Sequence, residues 1–432
     1  MYGVDQHLIP SRFDECAAIL AVDLREGDAV LIRFEVANFR SILESAELSM
    51  VAVDHDRPEA RMVANLGESL LPVAAIYGPN ASGKSNVVAA IQWLVDAVAN
   101  SLRFWDDGIP VDPFAFRDGS APASDFTAEF VISGVRFEYV VSLDAQTIAY
   151  EALFHYPEKY RRRIFEREGL TLKLQRGLGA LSGTRELLTD RALALSIARR
   201  FDEPLVTAFA DRLLSIHSLG VRPGRVSEAS TENWFGGSEH RARALALLRL
   251  ADLGIDDVLL EEVDPALRIR SRRVHRGRYD VRLVHRFGES TAPLDFAAES
   301  EGTRTWFRVI GPVLTALEAG SPVLFDELDA SLHPTLSAQL IRLFADPATN
   351  PEGAQLIFTT HDTSLLNHLN RDEVWLTEKG ADGTTKLGAL AEFAGERVRK
   401  SQNLERAYLH GRFGAVPDVD RTDFLRSLGL IG

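Results

Sequence analysis

The chain of 432 residues is 46% hydrophobic and 25% charged, a balance that supports a sizeable core and excludes a wholly disordered protein. With 48 Lys and Arg against 62 Asp and Glu the net charge is -14, so the chain as a whole does not attract a polyanion and any such contact must be local. The single cysteine, Cys16, excludes an intrachain disulfide framework and a cysteine-based zinc cluster.

No continuous apolar run reaches 18 residues, and Asp5, Asp14 and Glu15 stand where a secretory leader would need basic and then apolar residues. A cytoplasmic protein without membrane contact is expected. Residues 1–28 are weakly periodic. From Leu31 to Phe39, Leu31, Arg33 and Glu35 alternate with Ile32, Phe34 and Val36, which predicts a strand with one buried face. A second apolar run, Leu71 to Ile76, leads into GPNASGKS and then a stretch with Val87, Val88, Ile91, Leu94, Val95 and Val98 at helical spacing. Residues 126–155 read as antiparallel strands, with FTAEFVI and FEYVVSL separated by Ser133 and Gly134. Helical patterns follow from Arg185 to about Leu260, broken by a Gly-, Pro- and Ser-rich stretch from Gly220 to Gly237. Residues 268–286 alternate again and carry eight arginines, Arg268, Arg270, Arg272, Arg273, Arg276, Arg278, Arg282 and Arg286. They are the candidate contact for DNA or RNA, and equally a solvated face paired with carboxylates. A helix over Thr303–Leu317, the strand SPVLFDE, the helix SLHPTLSAQLIRLF and the strands AQLIFTTHD and DEVWLTE complete a pattern that predicts a parallel sheet with crossovers.

GPNASGKS, Gly78–Ser85, fits the phosphate-binding loop G-x-x-x-x-G-K-[ST] in its required strand–loop–helix setting. Gly78 and Gly83 permit the tight turn; Pro79, Asn80, Ala81 and Ser82 span it, and Asn86 follows in the first helical turn. Backbone N–H groups and the helix start would hold phosphate, Lys84 would meet the β and γ phosphates, and Ser85 would ligate Mg2+. ATP and Mg2+ are therefore the expected cofactors. At the end of a buried strand, Asp326 is placed to hold magnesium and Glu327 to act as general base on a water. His361, at the end of another strand, lies where open α/β sheets bind ligands.

Together these segments resemble the ABC-type ATPases of the Rad50, SMC and RecF kind. They resemble more closely the bacterial AAA15/AAA21 group, related to the ATPase half of OLD nucleases and to RloA-like proteins. The resemblance implies that NFRS nominates Asn38 and Arg40 as nucleotide contacts. It also implies that SEGTRTWF is a variant signature whose Ser300, Gly302 and Thr303 reach the γ phosphate held by the opposite protomer. LDASLHP would be a D-loop carrying Asp329, and His361 a switch histidine. Arg397, Asn403, Tyr408, Gly411 and Gly414 match the group's C-terminal pattern, which reads equally well as a structural helix and turn. Two departures stand out. SEGT replaces the double glycine of transporter signatures, and no Q-loop glutamine is found, because Gln92 lies inside the first helix and VDPFAFRDG has none.

The implied fold is α/β: an ABC-type P-loop ATPase head with a mixed or parallel central sheet, an antiparallel β subdomain, an inserted helical subdomain and no long coiled coil. The expected division is an extension at 1–29, a first lobe at 30–182, a helical insertion at 183–265, and the rest of the head at 266–432. The implied function is a Mg-dependent ATPase, paired head to tail as a homodimer with two composite ATP sites and open to higher assembly. Its biological role would be sensor or regulator in anti-phage defence, acting on a separately encoded nuclease or toxin. A RecF-like repair ATPase on duplex DNA is the alternative, and an ATP-gated scaffold is disfavoured by Glu327.

Overall fold

The computed structural model describes residues 29–116, 122–220, 228–251, 254–262, 279–394 and 404–410. The strands in chain order are β1 (Ala29–Ala37), β2 (Ala46–Ser49), β3 (Arg61–Val63), β4 (Glu68–Leu70), β5 (Val73–Tyr77), β6 (Ser124–Ile132), β7 (Val135–Leu143), β8 (Ile148–Tyr156) and β9 (Arg162–Glu168). They continue with β10 (Thr171–Leu174), β11 (His217–Leu219), β12 (Ile255–Glu262), β13 (Tyr279–Phe287), β14 (Ser290–Asp295), β15 (Pro322–Phe325), β16 (Gln355–Thr359), β17 (Val374–Lys379) and β18 (Thr385–Ala389). The helices are α1 (Lys84–Phe104), α2 (Thr184–Leu187), α3 (Ala194–Ala198), α4 (Pro204–Leu214), α5 (Glu228–Gly236), α6 (Ser238–Leu250) and α7 (Glu301–Ala319). After them come α8 (Leu328–Ser331), α9 (Pro334–Ala345), α10 (Leu390–Ala394) and α11 (Leu404–Leu409).

The central sheet runs β11-β15-β16-β5-β17-β18, parallel except for the β17–β18 pair. Its middle strands are apolar on both faces because both faces are covered. On β5, Ala74 and Ile76 enter one core while Val73, Ala75 and Tyr77 enter the other, and Leu324 and Ile357 oppose Phe325 and Phe358 in the same way. The first core lies between this sheet and a seven-stranded antiparallel sheet, β10-β9-β8-β7-β6-β1-β2, with α1, α3 and α4 packed inside it. The second holds α5, α6, α7, α9 and α11 against the opposite face. A small sheet of β12, β13 and β14 joins that side.

α1 is long and apolar enough by composition to cross a membrane, yet Val87, Val88, Ile91, Leu94 and Val98 are all buried in the first core. The β6–β7 hairpin closes through Ser133 and Gly134, both with positive φ, as a two-residue hairpin turn of this hand requires.

Two expectations need revision. The β1 alternation shifts register between Leu31 and Arg33, so Leu31 joins Phe34 and Val36 in the main core while Ile32 faces a satellite cluster with Leu70 and Val131. A bulge of this kind reverses the faces, and nothing in the apolar pattern marks it. The helix expected across SLHPTLSAQLIRLF breaks at Leu332–His333, because Pro334 starts α9 and forces the preceding residue into extended backbone. Within the helix-rich stretch 183–265, β11 is an edge strand of the central sheet; α3 and α4 pack in the first core and α5 and α6 in the second.

A fully buried network ties α3 to the antiparallel sheet. Glu151 accepts hydrogen bonds from Ala194 N (2.6 Å), Leu195 N (2.8 Å) and the Tyr139 hydroxyl (2.8 Å), and Arg167 lies 3.6 Å away while donating to loop carbonyls. With every member satisfied, the network fixes α3 beside α1 without leaving an unpaired buried charge.

Candidate nucleotide site

The loop after β5 is shaped by its neighbours. A Cβ on Gly78 would lie 2.5 Å from the carbonyl oxygen of Thr377 and 2.7 Å from Ser82 Oγ; one on Gly83, at φ 104°, would overlap the Thr385 side chain. Only glycine lets β17 and β18 press this closely on the loop. Ser82 Oγ bonds Thr377 Oγ1 (2.6 Å), and Thr385 Oγ1 donates to Ser82 O (2.8 Å). The start of α1 has no side-chain cap. Its first N–H groups and positive dipole end therefore face the loop, the arrangement that binds phosphate.

Lys84 is buried and donates to the carbonyls of Gly78 and Pro79, each at 3.0 Å. Burial lowers its pKa, opposed by the nearby carboxylates of Asp329, Asp326 and Glu327. These carboxylates come from the turn after β15. Thr359 Oγ1, at the end of β16, donates to Asp326 Oδ1 (2.6 Å) and accepts from Glu327 N (2.8 Å), so one hydroxyl sets both acidic residues. Glu327 sits in the left-handed region at φ 53° with an exposed side chain, a strain of about 1–3 kcal/mol held by its neighbours. Asp329 Oδ1 accepts from Thr360 Oγ1 (2.7 Å) and His361 N (3.1 Å), tying the turn to the histidine segment. Burial, then Lys84, lowers the His361 pKa, which favours a neutral imidazole near neutral pH.

The donors present suit Mg2+. Ser85 and Asp326 offer hard oxygens, and among the described residues no larger His, Cys, Asp or Glu cluster competes for a metal. Two protein oxygens at a phosphate loop are the usual protein share of such a site. Asp326 Oδ2 carries no hydrogen bond among the described residues, whereas Oδ1 is held by Thr359.

Removing the shared hydroxyl tests this frame. Thr359→Val is expected to lower kcat about ten- to a hundredfold, the equivalent of one hydrogen bond to a charged group, with the KM for ATP little changed. Thr359→Ser should restore turnover. Steady-state assays showing wild-type kcat in the valine variant would remove Thr359 from the site.

Several nominated residues have other work. Asn38, 3% exposed, gives its amide to Pro122 O (2.7 Å) and Ala123 O (3.4 Å) and accepts from Phe114 N (3.1 Å). Asn38 therefore braces the turn after β1 against Pro122 and Ala123. The Asn86 amide donates to Ser41 Oγ (2.6 Å), and Ser41 Oγ meets Thr385 Oγ1 (2.7 Å). The NFRS turn is thus hydrogen-bonded to α1 and β18. Arg40 is exposed beside Asp112, its guanidinium 5.3 Å from the Phe39 ring centre. Gln92 bridges Asp96 and Ser218 of β11.

At the head of α7, Ser300 Oγ accepts from Thr303 N (3.1 Å) and lies 2.9 Å from Thr303 Oγ1. Thr303 is buried and acts as the capping partner, whereas Ser300 and Gly302 are exposed. The preceding Glu299 bonds His285 of β13 at 2.7 Å. Further along α7, Thr231 of α5 accepts from Gly311 N (2.9 Å) and donates to Phe307 O (2.7 Å), splicing a hydroxyl into the helix beside Pro312. Thr231, Thr377 and Thr385 were invisible to motif reading, since single hydroxyls inside apolar or loop segments carry no spacing signal.

Of the arginine-rich stretch, Arg268, Arg270, Arg272, Arg273, Arg276 and Arg278 lie outside the described residues, as do Arg397, Asn403, Gly411 and Gly414. Arg282 pairs with Glu261 (3.3 Å) and Asp295 (3.1 Å), and Arg286 with Asp256 (2.5 Å), the pattern of a solvated face. Tyr408 is buried 5.9 Å from Tyr77, and Glu405 accepts from Asn367 (2.8 Å), so α11 backs the β5 strand and the histidine segment.

A family model described as "AAA domain, putative AbiEii toxin, Type IV TA system" matches residues 73–367, from the start of β5 past His361. No curated protein matches the chain. Among solved structures it is similar to an SMC head bound to the C-winged helix domain of ScpA, at TM-score 0.44 and 14% identity over 84% of this chain and 98% of that one. It is similar also to the SMC head domain from Thermotoga maritima (TM-score 0.39, 13% identity, 83% and 98% covered). A third is an Smc head with an extended coiled coil bound to the C-terminal domain of ScpA, derived from Pyrococcus furiosus (TM-score 0.42, 13% identity, 84% and 97% covered). With the family model covering more than half of its length and a phosphate loop, an acidic strand end and a histidine at one sheet edge, the chain belongs to the AAA21 family of ABC-type ATPases.

Proposed function

We propose that the protein is a Mg-dependent ATPase working as a head-to-tail homodimer with two composite sites. The observation that carries this reading is the convergence of Lys84, Asp326, Glu327, Asp329 and His361 at the carboxyl ends of β5, β15 and β16. Ser300 and Gly302 stand exposed on a separate helix. In the proposed cycle the loop N–H groups and Lys84 bind the phosphates. Ser85 and Asp326 would hold Mg2+, which when bound supplies charge neutralisation at the phosphates. Glu327 takes a proton from the attacking water, and His361 donates a hydrogen bond toward the reacting phosphate. Ser300 and Gly302, from the partner protomer, would close the site with backbone N–H groups of the α7 start. Asp329, tied to the histidine segment, and Thr231, spliced into α7, would pass the change to α5 and α6.

In the cell we place this cycle in anti-phage defence, governing a separately encoded nuclease or toxin in the cytoplasm. The toxin–antitoxin wording of the matched family supports that role. Complementation tests the dimer. Lys84→Ala and Ser300→Arg should each be inactive alone, whereas an equal mixture should recover about a quarter of wild-type turnover, since half the dimers would hold one intact composite site. No recovery from two variants that still associate would overturn it.

A further inference from the structure

We propose that the tip between β8 and β9 is a binding surface for single-stranded nucleic acid, independent of the nucleotide site. Its sequence, Pro157 to Arg163, carries Lys159, Arg161, Arg162 and Arg163 against Glu158, a segment charge of 4 − 1 = +3 in a chain of net -14, with Arg163 paired to Glu166 at 2.9 Å beyond it. Tyr160, in the middle of these cations, is 74% exposed and packs on no core. Lys159 holds the turn at φ 67° and makes no ion pair among the described residues. Arg161 is set in place, 3.2 Å from Glu138 with its guanidinium carbon 3.6 Å from the Phe154 ring centre. Arg162 pairs with Glu158 at 3.2 Å with both side chains largely exposed. Such a pair is worth about 0–1 kcal/mol and is readily exchanged for a phosphate.

Beside the tip is an open cavity of about 430 Å³, lined among others by Asn65, Gly134, Arg136, Tyr156 and Lys159. That volume is in the range of small-ligand sites and gives a nucleoside room next to the cations. Arg136, paired with Glu129 at 2.7 Å, lies 4.7 Å from the Tyr156 ring centre at the rim. Cations flanking an exposed aromatic ring are what a single strand needs: charge for its backbone and a face on which an unpaired base stacks. A duplex hides those base faces, and a narrow turn offers it no helix for the major groove.

Fluorescence anisotropy with labelled single-stranded DNA and RNA oligonucleotides, across a salt series, tests the full-length protein. The same sequence as a duplex, and heparin, serve as competitors. The expected result is preference for the single strand over duplex and heparin, with affinity falling linearly in log–log salt plots. The double variant Lys159→Glu, Arg162→Glu should lose about tenfold or more at low salt and flatten the slope. Tyr160→Ala should lose about fivefold or more with the slope unchanged, as removal of one stacked base would, and Tyr160→Phe should keep binding. ATP turnover should be unchanged in all of them. Equal binding by the charge-reversed variant, no effect of Tyr160→Ala, equal affinity for duplex or heparin, or no binding at low salt would each overturn the proposal. If the double variant fails to fold, the two tyrosine variants decide the matter.

Discussion

Glu327→Gln is expected to reduce kcat about 10²- to 10⁴-fold, the usual contribution of a positioned general base, while ATP still binds and dimers accumulate. The substitution keeps volume and hydrogen-bonding shape. The backbone at φ 53° is held by Thr359 Oγ1 on Glu327 N and by Ala330 N on Glu327 O (3.1 Å). What is lost is the carboxylate's ability to accept a proton in the presence of Lys84 and His361, whose titration both sense it. Single-turnover assays measure the chemical step, and size-exclusion chromatography with ATP measures the trapped dimer. Turnover within threefold of wild type, on the same scale, would take the base role from Glu327.

Gly78→Ala should abolish measurable ATP binding and lower Tm by several degrees, as about 1–3 kcal/mol of overpacking implies. The new methyl would meet the Thr377 carbonyl at 2.5 Å, and that atom belongs to β17, locked beside β5 by parallel pairing. Neither strand can retreat without opening the central sheet. Gly67→Ala provides the control, because Gly67 also has positive φ (75°) but nothing lies within 4 Å of its added carbon. It should cost only backbone strain and leave ATP binding intact. Calorimetric titration with a non-hydrolysable ATP analogue, alongside thermal melts, separates the two. If Gly78→Ala bound nucleotide as wild type does, the cradle formed by β17 and β18 would not be the phosphate site.

The motif residues were legible because their chemistry demands a fixed local order. A buried strand, a glycine turn and a helix can be read from GPNASGKS and its flanks, and VLFDE announces a covered strand ending in acid. The alternating faces of β5, β15 and β16 follow from the same apolar runs. The partners of Asn38, Asn86 and Thr303 were not legible, since residue type alone does not tell which group an amide or hydroxyl meets in the folded chain. Asn38 meets Phe114, Pro122 and Ala123, and Thr303 pairs with Ser300 at its own helix start.

Local order along the chain thus specified the phosphate loop, the acidic strand end and the sheet-forming runs, because those signals depend on residues within one element. Folding alone set which hydroxyls brace Asp326 and Glu327, why Gly78 and Gly83 cannot carry a side chain, and how α5 keys into α7. Each of these depends on atoms brought together by strand order and helix packing across separations of tens to hundreds of residues, as in the Thr377 contact with Tyr77 and Ser82. Pairing of that kind leaves no periodic trace in the sequence.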